Sequence, residues 1–294
     1  MFKSKWKKML GAVALSLAVF AAGCSSDTSG SEDTIGKGER IELAYVEWDT
    51  EIASTHVVGK VLEDLGYDVR LRPLDNAVMW EAVANGEADA MVAAWLPATH
   101  AAQFAEYGDK MVDLGANLEG AKIGLVVPSY MDVDSIADLS SEANQSITAI
   151  EPGAGVVQAA QQTLEDYSNL SDWRVQTSSS GAMVTALSQA YEKEEDIIVT
   201  GWSPHWKFGA YDLKYLDDPE GTFGGEEVIK TMVREGLEED LEAAYKVLDN
   251  FYWDTEEMEK VMLEIQNGKD PSDAAAEWVE ANEDIVAEWT AGLE

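Results

Sequence analysis

Apolar and polar residues alternate over Ile41–Val46, "IELAYV". Apolar positions then recur at helical spacing, at Ile52, Val57, Val58, Val61, Leu62 and Leu65, until Gly66. The first pattern predicts a strand and the second an amphipathic helix that glycine stops. "DVRLRPL" predicts a second strand, "NAVMWEAVANGEA" a second helix, and "DAMVAAW" a third strand ending at Trp95. The same order returns from Thr148: strand, Gly-rich turn "EPGAGVV", helix, strand "WRVQTSS", helix "GAMVTALSQAYEKEE", and strand "DIIVTGW" ending at Trp202. Trp48 precedes Gly155 by 107 positions, and Trp95 precedes Trp202 by the same 107. Each third strand ends in Trp-x-Pro, "WLP" and "WSP".

Two βαβαβ units predict an α/β protein of two similar lobes, with parallel sheets covered on both faces. Ligands of such sheets bind beyond the carboxyl ends of the strands. Trp48, Trp95, Gly155 and Trp202 all fall there, so two facing lobes would gather them around one cleft. "AKIGLVVPSYMDVDSIADL" leads out of the first unit through a strand, and "YDLKYLDD" has the character of a strand leading back. The remainder, 226–294, reads as helical, beginning with "EEVIKTMVREGL", and is expected to pack on the first lobe. The expected organisation is therefore lobe I from 40–125 plus 212–294, wrapped around a continuous lobe II of 126–211.

The first 24 residues do not belong to this pattern. Lys3, Lys5, Lys7 and Lys8 precede the apolar "MLGAVALSLAVFAAG", which is too short to span a bilayer and reads as a secretory signal. Ala22 and Gly23 stand before Cys24, the chain's one cysteine, in the manner of a lipoprotein cleavage and lipid-attachment site. The Ser/Gly-rich stretch that follows, within 25–39, is expected to be a flexible tether. The protein is thus expected outside the cytoplasm, anchored to the membrane by lipid.

The chain carries 56 Asp and Glu against 20 Lys and Arg, a net charge of −36. That sign excludes nucleic acid as a partner. The acidity fits either steering of a cationic ligand or a surface solvated for a salt-rich habitat. Runs such as "EKEED" and "EGLEEDLEAAY" are scattered, which favours the second reading. The three histidines, His56, His100 and His205, have no metal-ligand spacing, and no nucleophile elbow or P-loop is present. An enzyme is not expected, nor a cofactor.

Ten Trp is a high count. Three of them, at echoing strand ends, suit a cage for a quaternary ammonium, which has no N–H and is held by cation–π attraction. Trp48 and Trp95 would come from one lobe and Trp202 from the other. Trp80, Trp173, Trp206, Trp253, Trp278 and Trp289 read as packing residues. The helix that opens at Gly155 offers the free N–H groups of Gly155 and Val156 to an anion such as a carboxylate. His100 either donates to that carboxylate or caps the next helix at the surface. A cation cage beside an anion nest describes a zwitterion. Glu47, Asp49 and Glu151 lie nearby and read as outer residues, with Glu151 also placed to orient the Gly-rich turn.

"AYVEWDTEIAS", "VLEDLGY", "AAWLPATH", "GLVVPSYM", "TGWSPHW" and "LKYLDDP" together resemble the substrate-binding lipoprotein of OpuA-type glycine betaine/proline betaine ABC importers, over about residues 40–294. The resemblance implies a type II periplasmic-binding-protein-like fold with ligand in the interlobe cleft. It implies ammonium-cage roles for Trp48, Trp95 and Trp202, and carboxylate roles for Gly155, Val156 and His100. It also implies a monomer that delivers a small zwitterion to a permease during osmoprotection. Choline, carnitine or ectoine as ligand, or a sensing domain for a membrane receptor, are the competing expectations.

Overall fold

The computed structural model describes residues 34–293. Cys24 and the expected signal lie outside them. Residues 34–39, the end of the expected tether, form a turn that is pinned to the chain beyond the first helix: the Gly36 and Gly38 N–H groups donate to Leu65 and Gly66 carbonyls at 2.8 Å each.

The first unit runs β1 (Arg40–Tyr45), α1 (Asp49–Asp64), β2 (Asp68–Pro73), α2 (Asn76–Ala84) and β3 (Ala90–Leu96), followed by the short α3 (Ala101–Tyr107). Strand β4 (Met111–Pro128) then carries the chain to the second unit: β5 (Ser146–Ala149), α4 (Gly155–Asp166), β6 (Arg174–Thr177), α5 (Ser180–Tyr191) and β7 (Ile198–Ser203). A helical turn, α6 (Lys207–Ala210), leads into β8 (Leu213–Tyr215) and β9 (Glu227–Arg234). Five helices close the chain: α7 (Leu237–Asp240), α8 (Glu242–Asn250), α9 (Thr255–Gln266), α10 (Pro271–Ala281) and α11 (Glu283–Trp289).

The strands follow the path β2-β1-β3-β9-β4-β7-β5-β6, with β8 alongside β4. The internal echo survives in three dimensions. β2, β1 and β3 are parallel, as are β6, β5 and β7, and the Trp-ending strand of each set lies against an antiparallel neighbour. The sheets are therefore mixed, where the alternation of strands and helices had predicted parallel ones. Strand β4 serves both sheets. Its partner is β9 up to Ala121, opposite Glu227, and β7 from Lys122, opposite Ser203. β8 pairs with β4 in the second sheet, so the return crossing lies between β8 and β9.

β9 corrects the expectation of a helix over "EEVIKTMVREGL". Val228, Ile229, Thr231 and Val233 are β-branched, which suits a pleated surface. Half-exposed Val228 and Lys230 alternate with buried Glu227, Ile229 and Thr231, a two-residue period. The charges of "EGLEED" beyond it belong to the turn and to α7.

The terminal helices form the outer layer of lobe I, with α9 and α10 packed on α1. Pro271 opens α10 at its first turn, where a missing N–H leaves no bond unmade. An aromatic cluster holds this layer. Trp289 meets Phe251 edge-on at 4.8 Å and stacks on Trp278 at 5.6 Å, and Trp278 meets Trp253 edge-on at 5.5 Å. The Trp289 indole N–H donates to the Tyr252 carbonyl at 2.9 Å, and Trp278 donates to Glu257 at 2.8 Å. Trp80, Trp173, Trp253, Trp278 and Trp289 are all buried as packing residues. Truncating Trp289 to Ala should lower the unfolding free energy by about 3–5 kcal/mol, because a large buried ring leaves a cavity that neighbours only partly fill. Urea denaturation of the variant measures this.

Candidate functional site

The carboxyl ends of the parallel strands converge between the lobes. β1 delivers Trp48 at the start of α1, and β3 delivers Trp95. β7 delivers Trp202, and the turn after β5 delivers Gly155 and Val156 as the first residues of α4. All five line one cavity, with His100, Thr50, Thr99, Ile123, Ile150 and Ala154. The cavity has a volume of about 30 Å³. The six residues singled out in the sequence are thus together, and the peptide bonds preceding Pro97 and Pro204 are both cis, so the two Trp-x-Pro corners share a backbone form.

His100 occupies the position that precedes α3, yet its side chain makes no capping bond. It is fully buried, which removes the surface alternative. Its Nδ1 accepts the Trp95 backbone N–H at 3.1 Å, while the His100 backbone N–H donates to the Trp95 carbonyl at 2.9 Å. Burial pushes its pKa down to about 3, against the opposing pull of the Ala93 carbonyl. The neutral ring therefore carries its proton on Nε2, and that atom has no partner among the described residues. Trp48 stacks on one face of the ring at 6.1 Å and Trp80 meets it edge-on at 5.7 Å, which fixes its orientation.

The opposite wall supplies two more donors. The first N–H groups of a helix have no intrahelical acceptor, and the residue before α4, Ala154, has no side chain to cap them. Gly155 is dictated by closeness. A Cβ there would stand 2.3 Å from the Thr99 carbonyl oxygen of the other lobe. The backbone just before His100 is itself held by Glu227, at the start of β9. Its buried carboxylate accepts the N–H of Ala98 at 2.6 Å and of Thr99 at 2.8 Å, and the Thr99 hydroxyl.

Acidic residues set the indoles. Trp95 Nε1 donates to Glu51 at 2.7 Å, and Trp48 Nε1 donates across the cleft to Glu151. Asp49 reaches from the start of α1 to the second lobe. It accepts from Trp206 Nε1 at 2.8 Å and Ser180 Oγ at 3.1 Å, and faces His205 Nε2 at 3.5 Å. Burial raises the Asp49 pKa, but the bonds from His205, Trp206 and Ser180 outweigh it and leave the carboxyl well below the usual range. Trp206, expected only to pack, is thus one of the groups that join the lobes. Lys207 lies behind Trp202, fully buried, with Nζ 4.4 Å from the ring centroid and no hydrogen-bond partner among the described residues. Burial pushes its pKa down to about 7, against the pull of Asp49. Glu51, Glu227 and Lys207 were not singled out in the sequence. One charged residue inside an apolar face is the signal that marks each of them.

Two lobes joined by crossing strands, with a cavity lined by indoles and hydrogen-bond donors between them, define a solute-binding protein of the periplasmic type. The chain belongs to the family of substrate-binding domains of the ABC-type glycine betaine transport system, whose model matches residues 39–281. It is 48% identical over 163 residues to the glycine betaine/carnitine transport binding protein GbuC of Listeria monocytogenes, and this segment spans 55% of the chain and about half, 54%, of that protein. Its structure is similar to lactococcal OpuAC in a closed form complexed with glycine betaine, with a TM-score of 0.84 and 53% identity over 86% of this chain and 99% of that one. A choline-binding protein in complex with choline is also similar, with a TM-score of 0.80 and 26% identity over 86% of this chain and 92% of that one. The family is one of binding proteins, not enzymes.

Gly155→Ala should separate binding from folding. Its Cβ clashes with backbone across the cleft rather than with a movable side-chain tip. The variant should keep its ligand-free melting temperature within a few degrees. Small-angle scattering should find its lobes apart at ligand concentrations that close the wild type.

Proposed function

We propose that the chain captures glycine betaine outside the membrane and delivers it to the permease of an ABC importer, as part of osmoprotection. The trimethylammonium group sits among the faces of Trp48, Trp95 and Trp202. The carboxylate receives the N–H groups of Gly155 and Val156 and the Nε2–H of His100. Proline betaine, with the same two charges, shares the site. The protein works as a monomer, held to the cell membrane through lipid on Cys24.

One observation carries this reading: a buried neutral histidine whose Nε2 makes no hydrogen bond among the described residues, in the cavity that three indoles line. A quaternary ammonium cannot accept the Nε2 proton, whereas a carboxylate on the same ligand can. Each indole face contributes roughly 0.5–2 kcal/mol to holding the cation. Choline keeps the cation but offers the donors a hydroxyl in place of a carboxylate. The shortfall is about 1–3 kcal/mol, or roughly five- to 150-fold in affinity.

Intrinsic Trp fluorescence of residues 25–294 in high salt tests the assignment. Glycine betaine should give a saturable change, choline a much weaker response, and Trp202→Ala should bind betaine at least tenfold more weakly. Choline binding as well as betaine would leave the cage standing and remove the carboxylate role of Gly155, Val156 and His100. No response to either from a folded protein would reject the cage.

A further inference from the structure

No carboxylate is among the residues lining the cavity, so a bound ammonium would find no anion within the wall itself. One lies directly behind it. Glu51, in the first turn of α1, is 1% exposed. Its Oε1 accepts the Trp95 indole N–H at 2.7 Å, and its Oε2 accepts the Thr50 hydroxyl. Thr50 and Trp95 both line the cavity. No lysine, arginine or histidine forms an ion pair with Glu51 among the described residues.

A buried carboxylate without a cation is costly. A glutamine of the same shape would accept the indole bond through its carbonyl oxygen and donate its amide N–H to the Thr50 hydroxyl oxygen, with no charge to bury. Orienting Trp95 is therefore no reason for an acid here. What the acid adds is negative charge at the N–H edge of a ring whose face is turned to the cavity. A hydrogen bond to an anion polarises its donor, so the indole face gains electron density, and the anion's own field reaches across the ring with little water to screen it. Glu151 stands in the same relation to Trp48, but it is only half-buried and more open to solvent.

Resting on the betaine reading above, we propose that Glu51 is the buried counter-charge of the cage: a specificity-determining residue that acts through Trp95 and favours a cationic head group over a neutral one of the same shape.

The charges around it agree with this role. Burial raises the Glu51 pKa to about 7. The bonds from Thr50 and Trp95 oppose the rise, and the neighbouring Asp49 charge adds to it. On the far wall stand the Lys207 amine, behind Trp202, and His205, whose pKa burial pushes down to about 4. His100 is likewise held neutral. A cation arriving in the cage favours the ionised form of Glu51. By linkage, its binding must tighten as pH rises through that range.

Two ligands separate charge from shape: glycine betaine, and 3,3-dimethylbutyrate, in which carbon replaces the quaternary nitrogen. Dissociation constants are measured calorimetrically at about pH 6 and about pH 8.5 for the wild type, Glu51→Gln and Lys207→Met. Wild-type affinity for betaine should rise by about threefold or more between the two values, and that for dimethylbutyrate should not. Glu51→Gln should weaken betaine about tenfold at the higher pH, change dimethylbutyrate less than about twofold, and abolish the pH dependence. Lys207→Met should retain that dependence. Equal losses for both ligands in Glu51→Gln would reduce Glu51 to a support for Trp95 and overturn the proposal. So would a pH-independent wild type, or a dependence lost in Lys207→Met instead. A wild type that binds no betaine at all would overturn the function itself, and this inference with it.

Discussion

The Asp49 carboxylate holds the cleft together. It leaves the first turn of α1 in one lobe and accepts hydrogen bonds from Trp206 and Ser180 in the other, with His205 beside it. The cavity exists only while these lobes are joined, because its aromatic faces come from both: Trp48 and Trp95 from one, Trp202 from the other. The neighbours of Asp49 in sequence extend the same logic. Trp48 closes one wall, Thr50 lines the cavity, and Glu51 fixes Trp95. A single helix start thus joins the lobes and shapes the site. Closure is further set by the contact of Gly155 with Thr99, which tolerates no side chain.

Around this turn the ionisable groups do not meet the cavity as charges. Glu227 clamps the backbone that carries Thr99 and His100, and Glu51 and Glu151 take indole N–H groups. His100 and His205 are kept neutral by burial, and Lys207 loses much of its preference for a proton. The cavity is left with apolar rings and hydrogen-bond donors from both lobes. Such a surface suits a ligand that carries its own two charges and is small enough to be enclosed. Hydrophobic contact alone would not discriminate such a ligand. The donors do, since each is left unpaired by a ligand without a matching acceptor.

Much of this was legible in the sequence because the two lobes repeat. The recurrence of strand, helix and Trp-x-Pro at a fixed offset marks residues on both walls of the cavity. What was not legible has physical reasons. β9 was read as a helix because its alternation is blurred: Met232 is buried beside Thr231 and Val233, so the strand is flanked on both faces and lacks a clean polar side. With that strand misread, Glu227 was one more acid of a helical tail rather than a buried clamp. Glu51 and Asp49 stood among 56 carboxylates, and composition cannot mark which few are buried. The spacing of Glu51 from Thr55 and Val58, on the inner face of α1, was the available clue. Trp206 looked like packing because its indole partner comes from a turn 157 residues earlier.

The most direct test of the two-part site is a crystal structure of the protein grown with glycine betaine. The account predicts the quaternary nitrogen enclosed by the faces of Trp48, Trp95 and Trp202. It also predicts the carboxylate within hydrogen-bond distance of the Gly155 and Val156 N–H groups and of His100 Nε2. A ligand lying elsewhere, or seated with its carboxylate toward the indoles and nothing on His100 Nε2, would contradict it.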